Sequence, residues 1–152
     1  MKIEITQISP TNIEVKELFK LLDAHNMTHC LPEECHLTQP DELERVSSIL
    51  LGILCNGTLC GMAGLKFIDD YAEITRMFVL EEYRGRGLAV LLLNGLERVA
   101  AHRRKASLKL ETSDQFENAY HLYLKNGFNL CEPFGEYKHA TYQHSYMEKE
   151  IS

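Results

Sequence analysis

The sequence predicts an α+β fold, a mixed and mostly antiparallel sheet of about seven strands with helices on both faces. Two alternating runs flank Asn56-Gly57, a dipeptide that favours the type I′ turn of an antiparallel hairpin. A β-α-β unit is predicted further along the chain. It consists of an apolar run over 71–80, a long amphipathic segment and an alternating run over 107–112. Because such crossovers join parallel strands, we expect both strand arrangements in one sheet.

The amino-terminal part is predicted to hold one strand and two helices. The run from Lys2 to Ile8 alternates between apolar and polar residues, which indicates a strand. A first helix follows and loses its pattern near His25; its apolar face comprises Val15, Leu18, Phe19 and Leu22. The segment Met27 to Gln39 is irregular and polar, and Pro40 suits the first turn of a second, short helix.

The remaining elements alternate between strands and helices. The hairpin arms cover 49–55 and 58–68, and Gly61 and Gly64 predict a bulge or the close approach of another group. A third helix runs to about Lys105, and its buried stripe is predicted to comprise Leu88, Leu91, Leu92, Leu96 and Val99. A fourth helix covers 114–126, Gly127 suits its C-cap, and strands over 128–131 and 141–151 follow.

Length and composition favour one globular domain with a sizeable core over 1–152. The net charge of −6 argues against a nucleic-acid partner, which would want a basic surface, and is compatible with cationic substrates. No apolar run is long enough for a membrane span and no leader opens the chain, so the predicted location is the cytoplasm without a membrane partner.

The five cysteines are predicted to be reduced, because their number is odd and no secretory leader precedes them. Cys55 and Cys60 flank the hairpin turn, and a regular register would hold them about 7–8 Å apart, too far for an easy disulfide. The segment from His25 to His36 carries several histidines and thiols, but it lacks the close Cys-x2-Cys pair of a structural zinc site. No metal is therefore expected.

The stretch from Met77 to Ala89 runs from an apolar strand through a glycine turn into a helix. Unpaired N–H groups at the beginning of a helix can hold a phosphate, and the arginines Arg84 and Arg86 add positive charge there. A dinucleotide fingerprint would need a third glycine where Val90 stands, and a Walker loop would need Gly-Lys-Ser/Thr, which is missing.

Arg84-x-x-Gly87-x-Ala89 resembles the coenzyme A pyrophosphate loop of the GNAT superfamily of acyl-CoA-dependent N-acyltransferases, whose pattern is Gln/Arg-x-x-Gly-x-Gly/Ala. The segment from Asn118 to Phe128 is similar to the superfamily's Ala-x-x-Leu-Tyr-x-Lys-x-Gly-Phe stretch, and the element order resembles the GNAT fold over nearly the whole chain. Many relatives carry an asparagine where Phe116 stands, so Asn118 or Gln115 would supply that contact to the pantetheine arm.

The resemblance implies an acetyl-CoA site around the glycine turn. The pyrophosphate would be held by Arg84, Gly85, Arg86, Gly87, Leu88 and Ala89. Backbone groups of Met77, Phe78 and Val79 would bind the pantetheine amides like an added strand, and one strand N–H would face the thioester oxygen.

The same resemblance implies the groups that move protons. Glu73 is the candidate base, directly or through a water, and Tyr123 is the candidate acid for the departing thiolate. Alternative bases are His25, His29 and His36. Glu111 could meet a cationic substrate or be solvated. Arg76 could bind a substrate carboxylate or pair with Glu73, Glu111 or another acid, and a pair with Glu73 would make that carboxylate a poorer base.

The resulting hypothesis is an acetyl-CoA-dependent N-acetyltransferase that acts on a primary amine of a small molecule or peptide. Direct attack in a ternary complex is expected, since no cysteine stands beside a convincing base. The alternative is a non-catalytic acyl-CoA-binding or regulatory domain. An exposed edge of the final strand could support a homodimer.

Overall fold

A computed structural model describes residues 2–9, 11–29, 47–112, 117–135 and 144–151, and the side chains of 25–29 and 117–118 lie outside that description. The elements are β1 Ile3–Gln7, α1 Ile13–His29, β2 Ser48–Cys55, β3 Thr58–Ile68, β4 Tyr71–Val79, α2 Leu88–His102, β5 Ser107–Thr112, α3 Glu117–Lys125, β6 Asn129–Leu130 and β7 Ser145–Glu150. A short 3₁₀ turn over Glu81–Tyr83 connects β4 to the glycine turn. The predicted second helix at Pro40 lies outside the described residues.

The described strands form one seven-stranded sheet in the order β1-β2-β3-β4-β5-β7-β6. Every neighbouring pair is antiparallel except β4 and β5, which the α2 crossover joins in parallel. The predicted mixed α+β fold is confirmed. The final strand is not a simple exposed edge, because β7 pairs with β5 on one side and with β6 at Met147 and Glu148 on the other, and the homodimer stays a prediction.

Each face of the sheet carries a helix. The four apolar residues predicted for α1 are all buried against Leu50, Met62 and Phe78. On the other face, α2 buries Leu88, Leu92, Leu93, Leu96 and Ala100. The predicted stripe was wrong at Leu91, which is 38% exposed, because the helix turns Leu93 to the sheet instead. Gly95 faces Leu51, whose Cδ1 would lie 3.3 Å from an added Cβ, so the helix lies close to the sheet.

The β2–β3 hairpin contains a bulge that corrects the cysteine prediction. The register shifts between Ile53 and Leu54, which leaves Cys60 without a partner position in the ladder. Both thiols lie in the same core, with the two Sγ atoms 2.8 Å apart, closer than the spacing of a regular register suggested. Both are free thiols, and burial, followed by the Cys55 thiol, raises the pKa of Cys60 to about 12.

Candidate active site

A cleft opens where β4 leaves β5. The ladder between these two strands covers three residue pairs, from Tyr71–Ser107 to Glu73–Lys109. Beyond it β4 continues to Val79 and β5 to Thr112 without further pairing between the two described strands. In a complete sheet those backbone groups would bond to the neighbouring strand. The end of this pairing is the arrangement that an extended ligand with amide groups would need in order to bind like an additional strand.

A bulge bends β4 at the beginning of this cleft. Between the pairs Gly64–Thr75 and Met62–Phe78, two residues of β4, Arg76 and Met77, stand opposite one residue of β3. Arg76 has a φ of +55°, in the left-handed region that non-glycine residues seldom adopt. An extra residue of this kind bends its strand and increases the local twist, which accounts for the departure of β4 from β5.

The last residues of β4 lie beside both the cleft and the glycine turn. The Leu80 N–H donates to the Cys60 carbonyl at 2.9 Å, so Leu80 directs its backbone groups to β3. By the alternation of an antiparallel ladder, Val79 directs its groups to the cleft side. The Val79 carbonyl accepts a 2.8 Å hydrogen bond from Arg84 Nε, and the Arg84 Cζ lies 5.4 Å from the centre of the Phe78 ring. Met77 packs against the core below α2.

The glycine turn leaves the beginning of α2 open to an anion. Gly85 and Gly87 have φ values of +78° and +77°, which glycine adopts without strain, and an added Cβ at either position would meet nothing within 4 Å. Gly87 is the N-cap, and within the described chain no side chain caps this end and no acid lies in its first turn. Residues 84–87 are exposed, while the buried Leu88 anchors the helix to the core.

The α2 N-terminus therefore presents backbone N–H groups and the positive end of its dipole to solvent, with Arg86 beside them. The Arg86 Cζ lies 5.4 Å from the centre of the Tyr83 ring, which orients this arginine at the turn. Ala89 is half-buried and packs on the core, so its side chain does not obstruct the helix end. This arrangement suits a phosphate or pyrophosphate group.

Glu73 lies at the closed end of the cleft, in a row of alternating charge. It is 4% exposed, and its register partners are Lys66 on β3 and Lys109 on β5, while Lys109 in turn pairs with Glu148 on β7. The Lys109 Nζ lies 3.2 Å from a Glu148 oxygen. Because Ala72 and Ile74 face the α2 core, Glu73 leaves the opposite face of the sheet, the one that carries α1.

Tyr123 is buried on α3, one turn before the left-handed Gly127 that ends the helix. Its ring contacts Phe128 edge-on, with centroids 5.6 Å apart. Burial raises the pKa of Tyr123 to about 12. The phenol is therefore protonated at neutral pH, and it is suited to donating a hydrogen bond rather than a proton.

Two side-chain contacts refine the sequence interpretation. Arg76 pairs with another acid, Asp23 of α1, and its guanidinium lies 4.7 Å from the centre of the Phe19 ring. Glu111 is not a solvated residue, because its Oε2 lies 2.9 Å from His144 Nδ1 and both side chains are largely buried. Sequence reasoning missed His144 and Asp23, since pairs between distant segments leave no local pattern.

Some predicted site groups cannot be placed. The side chains of Asn118, His25 and His29 and the whole of His36 lie outside the described residues. In the described part of the chain, no group of three or more histidine, cysteine or acidic residues could hold a metal ion. None of the helices described here has the length and apolar character needed to cross a bilayer.

The chain was compared with known proteins. The acetyltransferase (GNAT) family matches residues 15–128. The uncharacterised N-acetyltransferase YedL of Escherichia coli K12 is 34% identical over 110 residues, which cover 70% of this chain and 69% of YedL.

Two solved structures are also similar. One, from Klebsiella pneumoniae MGH 78578 and assigned as an acyl-CoA N-acyltransferase, has a TM-score of 0.83 and 29% identity over 99% of this chain and 98% of its own. The other is the PaiA N-acetyltransferase of Thermoplasma acidophilum in complex with coenzyme A. It has a TM-score of 0.69 and 20% identity over 99% of each chain, a likeness that concerns the fold alone.

Proposed function

Because the chain belongs to the GNAT family of acetyltransferases, we propose that it transfers an acetyl group from acetyl-CoA to a primary amine of a small molecule or peptide, within one domain over 1–152. The observation that carries this proposal is the departure of β4 from β5 beside an uncapped helix N-terminus. A pantetheine arm could run along the part of β4 that is not paired with β5, while the pyrophosphate lies on the turn from Arg84 to Ala89. Coenzyme A is the ligand of the similarly folded PaiA structure.

The reaction is a direct attack in a ternary complex. An alkyl ammonium has a pKa of about 10.4, so a base must take its proton before the nitrogen attacks the thioester carbon. Glu73 fills this role in the proposal, directly or through a water, from the closed end of the cleft. Its register position between Lys66 and Lys109 puts it at that end of the cleft, on the face of the sheet that carries α1.

Two further groups complete the proposed site. A backbone N–H on the cleft side of β4, between Met77 and Val79, would donate to the thioester oxygen as negative charge develops there, an interaction worth about 10²–10³ in rate. When the C–S bond breaks, Tyr123 would donate a hydrogen bond to the thiolate, with solvent as the final proton source. Asn118 would contact the pantetheine arm.

Release of free thiol from acetyl-CoA across a panel of amines, amino acids, aminoglycosides and peptides tests this function. We expect at least one acceptor, and we expect Glu73→Gln to lower turnover sharply while acetyl-CoA affinity stays nearly unchanged. Equal turnover in Glu73→Gln would remove Glu73 from the mechanism. Acetyl-CoA binding without thiol release from any acceptor would instead favour a non-catalytic acyl-CoA-binding domain.

A further inference from the structure

Arg76 combines three features that seldom occur together. It is one of the two residues that form the β4 bulge, its backbone is left-handed at φ +55°, and its side chain is 2% exposed. Strand residues normally adopt extended backbone, and an arginine has a Cβ that disfavours the left-handed region. Something outside β4 is therefore needed to hold this conformation.

The anchor comes from α1. Phe19 and Asp23 are one helical turn apart, so they face the sheet side by side. The Arg76 guanidinium lies over the Phe19 ring, 4.7 Å from its centre, and its Nη1 donates to Asp23 Oδ1. Phe19 is 2% exposed and belongs to the core between α1 and the sheet, which fixes this side of the contact.

We propose that the Arg76–Asp23 ion pair is a positioning device for the acetyl-transfer site. By tying the bulge to α1, the pair keeps residue 76 left-handed and thereby fixes the direction in which the β4 amides after it face the cleft. Residue 76 would otherwise relax toward extended backbone, which would rotate those amides and let β4 follow β5 further. This inference rests on the proposed function, because it assigns a purpose to the amides that would meet the thioester.

The test compares Arg76→Ala with Arg76→Gly. Both lose the ion pair, but glycine adopts the left-handed conformation without an anchor and alanine does not. We expect Arg76→Ala and Asp23→Asn to lower turnover about 10- to 100-fold, since small misplacements of transition-state donors have effects of this size. The KM for the acceptor should change little, and Arg76→Gly should recover most of the lost turnover.

The control is Glu17→Gln, which removes an exposed pair with Lys20 on the same helix, 3.7 Å apart, and should leave turnover and affinity at wild-type values. Calorimetry with acetyl-CoA and with CoA adds a second readout. Because the thioester oxygen exists only in acetyl-CoA, Asp23→Asn should weaken the binding of acetyl-CoA more than the binding of CoA. Equal turnover of the alanine and glycine variants, or a lowered Tm with unchanged turnover, would overturn the proposal.

A ligand-free measurement separates this inference from the proposed function. In Arg76→Ala the amide ¹⁵N and ¹H shifts from Met77 to Val79 should move strongly, and in Arg76→Gly they should stay near wild-type values. Should wild-type protein release no thiol with any amine, the proposed function fails, and these shifts still decide whether the pair holds the bulge. Unchanged shifts in the alanine variant would refute the anchor directly.

Discussion

Replacing Tyr123 with phenylalanine should make the protein more resistant to alkaline unfolding. The pKa of Tyr123 is raised by burial from 10.0 to about 12 in the folded state. The folded state therefore holds this proton more tightly, and the resulting stability is present below pH 10 and lost as the pH rises through 12. Two pKa units correspond to about 3 kcal/mol, so the wild type should lose up to about that much between pH 9 and 12 on account of this residue.

Urea unfolding at several pH values from 8 to 12 measures this difference. As the pH rises, the unfolding free energy of wild type should fall more than that of Tyr123→Phe. Tyr120→Phe, at a half-buried tyrosine of the same helix, is the matched control and should follow the wild type. Parallel pH curves for Tyr123→Phe and wild type would refute the reasoning.

The same burial limits what Tyr123 can do in catalysis. A coenzyme A thiol has a pKa of about 8.5, so proton transfer from a phenol of pKa about 12 would be uphill by roughly 5 kcal/mol. A hydrogen bond contributes about 1 kcal/mol, and Tyr123→Phe should therefore lower turnover by about tenfold or less. A loss of a thousandfold would show that Tyr123 transfers the proton itself.

Two further predictions concern stability and are checked by chemical denaturation. Glu111→Gln leaves a largely buried His144 facing a neutral amide, and should lower the free energy of unfolding by about 1–3 kcal/mol. Glu148→Gln, at a 39% exposed partner of an ion pair, should lower it by about 1 kcal/mol or less. Equal losses in the two variants would contradict the buried contact between Glu111 and His144. Leu93→Ala should cost about 2–5 kcal/mol and Leu91→Ala less than about 1 kcal/mol, and the reverse order would mean that α2 presents a different face to the sheet.

Local pattern predicted most of the fold. The strand over 107–112, both hairpin arms and the helix after Gly87 follow from alternation, a turn dipeptide and helical periodicity, and all are confirmed. Periodicity failed at Leu91, because several leucines in succession fit more than one helical face and the sheet selects between them. The spacing of Cys55 and Cys60 was also misjudged, because a bulge shifts the hairpin register between Ile53 and Leu54.

The candidate site was only partly predictable. A glycine turn between a strand and a helix has a local signature, and among the residues that the structure describes no side chain caps the helix N-terminus there. The alternating row of Lys66, Glu73 and Lys109 depends on the register of three neighbouring strands, and this register cannot be read from the sequence. Arg76 was conspicuous in a strand, but its partner Asp23 lies more than fifty residues away, so only the packing of α1 on β4 could identify it.

Calorimetric titration with acetyl-CoA, comparing wild type with Gly87→Trp and Gly57→Trp, tests the central claim most directly. Both glycines have left-handed backbone with φ near +80° and open space around an added Cβ, so the two variants carry similar backbone strain. Only Gly87 lies at the beginning of α2, where an indole would cover the N–H groups. The account predicts binding by wild type and by Gly57→Trp and its loss in Gly87→Trp; undiminished binding by Gly87→Trp would contradict it.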